Sequence, residues 1–283
     1  MPVAKIITML FPGARRKALT LSYDDGVLQD RQLIQMMNQY QIRGTFNLNS
    51  RILGRVEKMT LFGKTADVST VTLKEIPVLY AAHEIATHGA EHSALTGYGS
   101  AGLLEVMDDR RIFEATVPYL VRGHAYPFGL YNDMVCDMLK AAGITYGRTV
   151  TSTRQFDIPK DFMRWHPTCH HNDPEVMELA KQFCEKDSVF GQPQLFYLWG
   201  HSYEFDMEQN WQDIEKFLKY VSGFQSTVWM ATNGEIADYV TAYRMLIFSA
   251  DGSRIYNPTA ATLWMEILGK VYEINAGETV TIR

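Results

Sequence analysis

Short strand-forming runs alternate with helical segments along most of this 283-residue chain. The predicted strands are 17–23 (KALTLSY), 44–48 (GTFNL), 144–150, 195–199 (LFYLW) and 226–231. Apolar residues at helical spacing predict helices over 28–40, 101–117, 131–142, 174–186 and 207–221. Strands that alternate with crossover helices form a parallel sheet whose two faces are covered. The alternation therefore predicts an α/β fold, either a (β/α) barrel or a close relative of one.

Two regions interrupt or end this alternation. Residues 51–69 are polar and aperiodic and are predicted to form a loop, after which Thr72 can cap a helix that starts at Leu73. Beyond about residue 244 the pattern changes, and strands are predicted at 245–249, 271–274 and 278–282 with turn-rich links. We expect two units, a barrel over 1–243 and a small β-rich extension over 244–283 that packs on it.

Composition excludes several classes of protein. With 27 Lys and Arg against 32 Asp and Glu, the net charge of −5 argues against a basic nucleic-acid surface. No run approaches 18 apolar residues, so no membrane span is predicted. The short apolar run at the N-terminus has no cleavage site after it, which predicts a cytoplasmic protein unless a leader has been removed. The odd, widely spaced cysteines predict buried thiols rather than disulfides or a cysteine zinc site: Cys136, Cys169 and Cys184.

Two adjacent carboxylates follow the first predicted strand. Asp24 and Asp25 come directly before Gly26, and a turn at that glycine can aim both side chains into one cleft. Burying two like charges is costly unless a cation or a shared proton lies between them. An exposed Asp-Asp-Gly turn is the alternative.

A histidine cluster follows at HEIATHGAEH, residues 83–92. His88 and His92 are four residues apart, so their imidazoles share a face if this segment forms a helical turn. Two neutral imidazoles suit a divalent metal ion. The segment is not a zincin helix, because Thr87 stands four residues after His83.

A third candidate is His201, directly after the apolar strand 195–199. In a barrel, this position lies on the same rim as Asp25 and His88. One carboxylate and two histidines can hold a metal and leave positions open for water and substrate. The second carboxylate can then take a proton from water, and His201 can give one to a leaving amine, as amide hydrolysis requires.

These segments resemble the motifs of the polysaccharide deacetylase family, also called the NodB-homology or carbohydrate esterase family 4 domain. SYDDG at 22–26 is similar to the family's Thr-Phe-Asp-Asp-Gly, and 88–92 to its His-(Ser/Thr)-x-x-His. AYPFG at 125–129 aligns with Arg-x-Pro-Tyr-Gly, and LWGH at 198–201 with Leu-x-His, one residue longer. The resemblance covers roughly residues 21–231.

The resemblance implies a distorted (β/α) barrel of seven or eight strands. It also implies a hydrolase that acts on carbon–nitrogen bonds and removes acyl groups, usually acetyl, from sugars by means of a metal-bound water. Zinc is the expected metal, with cobalt or nickel as alternatives. Carried over, Asp24 is the general base, His201 is the general acid, and the metal ligands are Asp25, His88 and His92.

The chain also departs from the family pattern. Ala125 replaces the arginine that supports the catalytic base, and Arg164 and Arg122 are candidate substitutes from other loops. Gly89 replaces the hydroxyl residue after the first histidine ligand. The fourth motif is weak, its nearest candidate being Arg-Trp-His at 164–166. These changes fit a divergent branch of the family, some members of which act on small amides rather than polymers.

Aromatic residues near the third motif are candidates for stacking on a sugar ring. The predicted substrate contacts are Tyr126, Pro127, Phe128 and Trp165. Trp199 is expected to be core. His124 lies beside the third motif and is an alternative candidate for lining the site, although a structural role is favoured for it. His170 and His171 are either extra ligands or part of a polar loop. The expected partner is an acylated carbohydrate or a small amide, with no nucleic acid or membrane.

Three other functions stay open at this point. One is a carbohydrate-binding protein on the same fold with impaired catalysis, and another is a hydrolase of small amides. The third is a metal-dependent phosphoesterase, which usually needs more ligands and basic residues than these motifs supply.

Overall fold

The computed structural model describes residues 7–61, 63–188 and 191–282. These residues form sixteen β-strands and eight α-helices. The strands are β1 (Ile7–Leu10), β2 (Lys17–Asp24), β3 (Thr45–Leu48), β4 (Lys58–Leu61), β5 (Lys64–Asp67), β6 (Glu84–Thr87), β7 (Gly123–Ala125), β8 (Tyr146–Arg148), β9 (Cys169–His170), β10 (Gln194–Gly200), β11 (Val228–Met230), β12 (Ile247–Phe248), β13 (Arg254–Tyr256), β14 (Leu263–Ile267), β15 (Lys270–Ile274) and β16 (Thr279–Thr281). The helices are α1 (Asp30–Gln39), α2 (Ile76–Leu79), α3 (Ala101–Glu114), α4 (Asp133–Ala141), α5 (Val176–Glu185), α6 (Tyr203–Glu208), α7 (Trp211–Ser222) and α8 (Asn233–Arg244).

Eight of the described strands form one parallel sheet that curls into a distorted barrel. Its order is β8-β7-β6-β3-β2-β10-β9, with β11 also pairing with β2. The central strand β2 buries all eight of its residues, as expected of a strand covered on both faces. β11 pairs with its first half, at 17–19, and β3 with its last three residues, at 22–24. The predicted α/β barrel of seven or eight strands is confirmed.

The segment around β9 bridges the two sides of the curled sheet. Trp165 forms a parallel bridge with Arg148 of β8. A few residues on, the amides of Thr168 and His171 bond to carbonyl oxygens of β10, both at 2.8 Å. Residues 165–171 therefore connect β8 to β10 across the barrel.

The helices form where the apolar spacing predicts them, with shifts at their ends. α1 buries an apolar stripe of Leu33, Ile34 and Met37 against the sheet. α4 ends just before Gly143, whose φ of +76° suits glycine. The predicted helix over 207–221 is two helices, α6 and α7, with Gln209 in the left-handed region between them.

Several elements differ from the sequence prediction. The expected loop over 51–69 contains the hairpin of β4 and β5, whose short polar strands carry no periodic apolar pattern. The helix after Thr72 begins only at Ile76, because the Thr72 hydroxyl bonds to the side chain of Glu75 in a turn. Strands β6 and β7 and helix α8 were not predicted. α8 begins with a capping box between Thr232 and Glu235.

The C-terminal residues form two small antiparallel sheets, β12-β13-β16 and β1-β14-β15. The second sheet includes the N-terminal strand β1, whose residues 7–10 pair with 264–267. The Tyr239 hydroxyl of α8 donates to Leu10 O at 2.6 Å and accepts from Trp264 N at 3.0 Å. The C-terminal residues are therefore rich in β-structure, and the start of the chain, which the sequence assigned to the barrel, completes one of their sheets.

None of the helices in the described part of the chain is long and apolar enough to cross a membrane.

Candidate active site

The predicted site residues follow strands whose ends lie side by side in the sheet. β10 is aligned with β2 so that Gly200 lies opposite Tyr23. On the other side of β2, Asp24 pairs with Asn47 of β3, and β3 pairs in turn with β6 up to Thr87. The residues that come next in the chain are Asp25, His88 and His201. The register therefore brings three distant segments to one rim.

A turn directs both aspartates into the site. Asp25 has φ of +76° and Gly26 has φ of +62°, so the chain leaves its extended path right after Asp24. A non-glycine residue in this region carries backbone strain of about 1–3 kcal/mol, which the surrounding structure must offset. A Cβ on Gly26 would lie 2.8 Å from Leu48 Cδ2, so glycine is needed there. Asp24 and Asp25 consequently face the same cleft.

Asp25, His88 and His92 have ligand atoms that all lie within 4.8 Å of one another. Asp25 Oδ1 is 3.6 Å from His88 Nε2 and 3.7 Å from His92 Nε2. Ligand atoms around a tetrahedral zinc ion are separated by about 3.3 Å, so a small contraction would complete the site. Asp25 Oδ1 is buried and has no hydrogen-bond partner among the described residues, which fits an oxygen that binds a cation.

The tautomer of His88 also fits a metal ligand. Its Nδ1 lies 2.8 Å from the carbonyl oxygen of Ala125, to which it donates its proton. This hydrogen bond leaves the lone pair of Nε2 free and fixes the ring. Burial lowers the pKa of His88 to about 4, against the attraction of the Asp24 charge, so the ring is neutral at pH 7.

The two histidines lie on an irregular loop and not on the helical turn that their spacing suggested. Gly89 and His92 have φ of +76° and +56°, and β6 ends directly before His88. The Asn49 side chain donates to the carbonyl oxygens of His88 and Gly89, at 2.7 and 2.6 Å. Asp109 accepts from the His88 amide at 3.1 Å. These side chains hold the loop although Gly89 has no hydroxyl.

Asp24 is held by two side chains that the sequence reasoning missed. Arg148 of β8 donates to Asp24 Oδ2, and Asn47 donates to Oδ1 at 2.7 Å. Burial by itself would raise the pKa of Asp24, but the charge of Arg148 and the nearby His88 and His201 lower it to about 2. Asp24 is therefore an ionised carboxylate at neutral pH.

Arg148 fills the place left by the missing arginine of the third motif. In the sheet register it lies directly opposite Ala125 on the neighbouring strand. The two substitutes suggested by the sequence are wrong, because Arg164 pairs with Asp133 and Asp161, and Arg122 pairs with Asp238. The sequence signal for Arg148 is only its position inside the predicted strand 144–150.

His201 faces both aspartates and is held from behind by Glu204. Its Nε2 is 3.8 Å from Asp24 Oδ2 and 4.0 Å from Asp25 Oδ2. Its Nδ1 lies 3.2 Å from Glu204 Oε1, one helical turn along the chain. Burial would lower the pKa of His201, but Glu204, Asp25 and Asp24 together raise it to about 9. His201 is therefore protonated at neutral pH.

A cavity of about 1150 Å³ opens over these residues. Its floor includes Asp24, Asp25, His88 and His201, and the β4–β5 hairpin contributes Met59 and its neighbours to one wall. Only some of the predicted substrate residues are exposed to this cavity. Phe128 is 64% exposed and lies edge-on to His92, with ring centroids 4.5 Å apart.

The other predicted substrate residues are less available. Tyr126 lines the cavity but is buried, and its hydroxyl donates to Met163 O at 2.7 Å. Pro127 is buried beneath the histidine loop. Trp165 lies in the core against Tyr146, Phe162 and Tyr197 and does not line this cavity.

The structure also shows where Trp199 and His124 lie relative to the cavity. Trp199, expected to be core, is 8% exposed and lines the cavity, with the Arg148 guanidinium 4.5 Å from its ring centroid. His124 is fully buried and lies 2.8 Å from Thr87 Oγ1, so it supports β6 and does not line the cavity.

Comparison with known proteins agrees with this architecture. Residues 12–147 match the family model for polysaccharide deacetylases. A search of curated proteins gives no match. A candidate polysaccharide deacetylase from Mycobacterium smegmatis has a similar fold at 16% identity, with a TM-score of 0.60 over 86% of this chain and 96% of that one. The Xyl-CE4 domain of a multidomain xylanase, from the hindgut metagenome of Trinervitermes trinervoides, is 13% identical with a TM-score of 0.51, over 80% of this chain and 92% of that one.

The matched segment contains the Asp-Asp-Gly turn, the histidine loop and strand β7, and it ends one residue before Arg148. Polysaccharide deacetylases are hydrolases that act on carbon–nitrogen bonds other than peptide bonds. Sequence identity to the similar structures is low, and the third motif has lost its arginine. Over residues 12–147 the chain therefore resembles the polysaccharide deacetylase family, which is consistent with a divergent member of it.

Proposed function

We propose that this chain is a metal-dependent deacetylase that removes N-acetyl groups from a carbohydrate or a related amide. The observation that carries the proposal is the meeting of five side chains from three strand ends. The Nε2 atoms of His88 and His201 both lie 3.8 Å from the same carboxylate oxygen, Asp24 Oδ2. A base, an acid and a set of metal ligands thus share one cleft beneath an open cavity.

Asp25, His88 and His92 would hold the metal ion. Two imidazoles and one carboxylate form a set typical of catalytic zinc, which keeps a fourth position open. Cobalt and nickel accept the same donors. When bound, the ion supplies a Lewis acid that polarises the acyl oxygen and activates water. The unpartnered oxygen of Asp25 and the fixed tautomer of His88 support this assignment.

Asp24 would act as the general base. Its carboxylate is ionised at neutral pH and is only 2% exposed, so it can accept a proton from water in a setting with little competing solvent. Arg148 and Asn47 fix both of its oxygens in place. A side chain held in this way loses little entropy when the reacting groups align.

His201 would act as the general acid. Its bond to Glu204 through Nδ1 leaves the Nε2 proton directed at the cleft. Because its pKa is raised to about 9, the ring carries that proton at neutral pH and can deliver it to the leaving amine. The amine needs this proton, since an amide anion is a poor leaving group.

Arg148 bears on the alternative of a carbohydrate-binding protein with impaired catalysis. That alternative depended on the loss of the arginine beside the base. A guanidinium from β8 now contacts the same carboxylate, which favours an active enzyme. The open cavity and exposed Phe128 suit a sugar ring and also a smaller amide, so both substrate classes belong in the test.

The experiment is an acetate-release screen of the metal-loaded protein. The protein is loaded with Zn²⁺, Co²⁺ or Ni²⁺ and offered chitooligosaccharides, acetylxylan and small N-acyl amides. We expect turnover of at least one N-acetyl substrate. In Asp24→Asn the turnover rate should fall by about 10²–10⁴-fold, whereas the metal content should stay the same. Asp137→Asn, at an exposed position on α4, is the control and should retain full activity.

Two results would reject the proposal. One is unchanged turnover in Asp24→Asn, which would remove the assigned base. The other is the absence of acetate release from every substrate with every metal, although the protein is folded and loaded.

A further inference from the structure

A second cluster of metal-ligand side chains lies outside the proposed catalytic group. His170 and His171 follow one another at the end of β9, and Glu204 lies in the first turn of α6. Their ligand atoms all lie within 4.8 Å of one another. Glu204 Oε2 is 2.9 Å from His171 Nε2 and 3.2 Å from His170 Nε2.

The contacts in this cluster are close but not aligned as hydrogen bonds. Among the residues that the structure describes, Glu204 Oε2 and both ring nitrogens of His171 have no hydrogen-bond partner. The side chain of His171 is 1% exposed. A buried imidazole without a partner is costly, and so is a buried carboxylate oxygen, unless something else binds them. Of these atoms, His171 Nε2 and Glu204 Oε2 face each other, and His170 Nε2 lies beside them.

The surroundings hold the His171 ring in this position. The ring stacks on Phe205, with centroids 4.2 Å apart, and its Nδ1 faces the backbone of Gly200. A Cβ on Gly200 would lie 2.1 Å from that nitrogen, so the absence of a side chain there makes room for the ring. His171 cannot turn away without losing this packing.

We propose that His170, His171 and Glu204 form a second binding site for a divalent cation of the zinc class. Zinc binds imidazole nitrogen at about 2.0–2.1 Å and carboxylate oxygen at about 2.0–2.2 Å, which puts tetrahedral ligand atoms about 3.3 Å apart. The observed 2.9 and 3.2 Å are close to that separation. The side chains of His170 and Glu204 are 24% and 20% exposed, so solvent reaches the site and can supply a fourth ligand.

The second ion binds more weakly than an ion at the first group. The amide of Asn172 donates to His170 Nδ1 at 3.2 Å, which places the ring proton on Nε2. Coordination through Nε2 requires that proton to move to Nδ1, so the contact with the amide must open. The first group has no such cost, because His88 Nδ1 already donates to a carbonyl oxygen.

The two sites share no ligand. Glu204 binds the second ion through Oε2 and keeps Oε1 for His201 Nδ1. This inference goes beyond the proposed function, and it holds or fails on metal binding alone, whatever the substrate.

The test is a zinc titration of the apoprotein, by calorimetry with metal content measured after gel filtration. The wild type should bind two ions per chain, one tight and one weaker. His170→Ala and Glu204→Gln should each keep the tight ion and lower the affinity for the weaker ion by more than about 100-fold. Removing a residue that only supports a ligand typically lowers metal affinity by about 10–100-fold, so a larger loss indicates a direct ligand. His92→Ala should do the reverse and keep the weaker ion.

His166→Asn is the matched control, because its ring bonds to Thr149 outside both clusters, and it should still bind two ions. Circular dichroism establishes that each variant is folded. If Glu204→Gln does not fold, His170→Ala, at a partly exposed position, still tests the proposal.

A wild type that binds one ion in 20-fold excess zinc would overturn the proposal. Two ions of unchanged affinity in His170→Ala would overturn it as well, and so would loss of both ions in that variant.

Discussion

The guanidinium of Arg148 donates a hydrogen bond to the carboxylate of Asp24 across 124 positions of sequence. Both side chains are buried, at 0% and 3% exposed. Arg148 also lies over the face of Trp199, whose ring lines the cavity. The pair thus connects the floor of the cleft to strand β8, and it sets the charge of the proposed base.

Removing Arg148 alone should destabilise the protein strongly. Arg148→Met removes the cation that hydrogen-bonds the buried Asp24 carboxylate, and breaking a buried pair typically costs about 3–5 kcal/mol. The double variant Asp24→Asn/Arg148→Met should recover much of this loss, since neither charge is then buried. Urea unfolding of the two single variants and the double variant measures the coupling.

Arg122→Met is the matched control for this cycle. Its guanidinium pairs with Asp238 at the surface, and such pairs contribute about 0–1 kcal/mol. If the stability lost by the double variant equalled the sum of the losses in Asp24→Asn and Arg148→Met, the coupling between Asp24 and Arg148 would be absent.

The barrel was predictable because helical and strand periodicity extends over long segments. α1, α4, α5 and α7 each bury an apolar stripe, and β2 and β10 are buried along nearly their whole length. The three-residue strand β7 and the four-residue polar strands β4 and β5 have too few residues to show a period. Their pairing depends on partners elsewhere in the chain.

Only those site residues that belong to short sequence motifs could be predicted from the sequence. Asp24, Asp25 and the two histidines of the loop are recognisable by spacing. Arg148 and Glu204 are not, because each is defined by what it contacts across the fold. The approach of Arg148 depends on the register of β7 and β8, which no local pattern in the sequence gives.

Removal of the metal should lower the thermal stability of the wild type. A ligand that binds only the folded state at 100 times its Kd stabilises it by about 2.7 kcal/mol. Differential scanning fluorimetry with and without a chelator measures the change in Tm. The same treatment should shift the Tm of His88→Ala much less, because one of its three proposed tight ligands is gone. An equal shift in both proteins would contradict the ligand set.

Asp30 should make the stability of the protein depend on pH. Its carboxylate is fully buried and accepts hydrogen bonds from Ser202 Oγ at 2.6 Å and Tyr80 OH at 2.7 Å. Burial raises its pKa to about 7 despite these bonds, whereas an unfolded Asp titrates near about 3.9. The folded state holds this proton more tightly, so the stabilisation is complete below about pH 4 and is lost as pH rises through 7.

Asp30→Asn keeps an uncharged side chain and should remove this dependence. The free energy of unfolding of the variant, relative to the wild type, should rise by about 2 kcal/mol from pH 5 to pH 8. Urea unfolding at the two pH values measures it. Asp137→Asn, an exposed change, should follow the wild type at both. A constant difference between Asp30→Asn and the wild type would show that Asp30 is ionised throughout this range.

We propose that the C-terminal extension unfolds together with the barrel, although the sequence divides them near residue 244. Met265 of β14 is fully buried, in the same apolar cluster as Phe11, Leu195 and Tyr239. Met265→Ala leaves a cavity among residues of both units and should cost about 2–5 kcal/mol. Because the units share this core, tryptophan fluorescence and far-ultraviolet circular dichroism should report one common unfolding transition.

Leu268→Ala is the control, because this residue lies in the turn after β14 and is 66% exposed. It should change the free energy of unfolding by less than about 0.5 kcal/mol. Two separate transitions, only one of them moved by Met265→Ala, would mean that the extension is an independent unit.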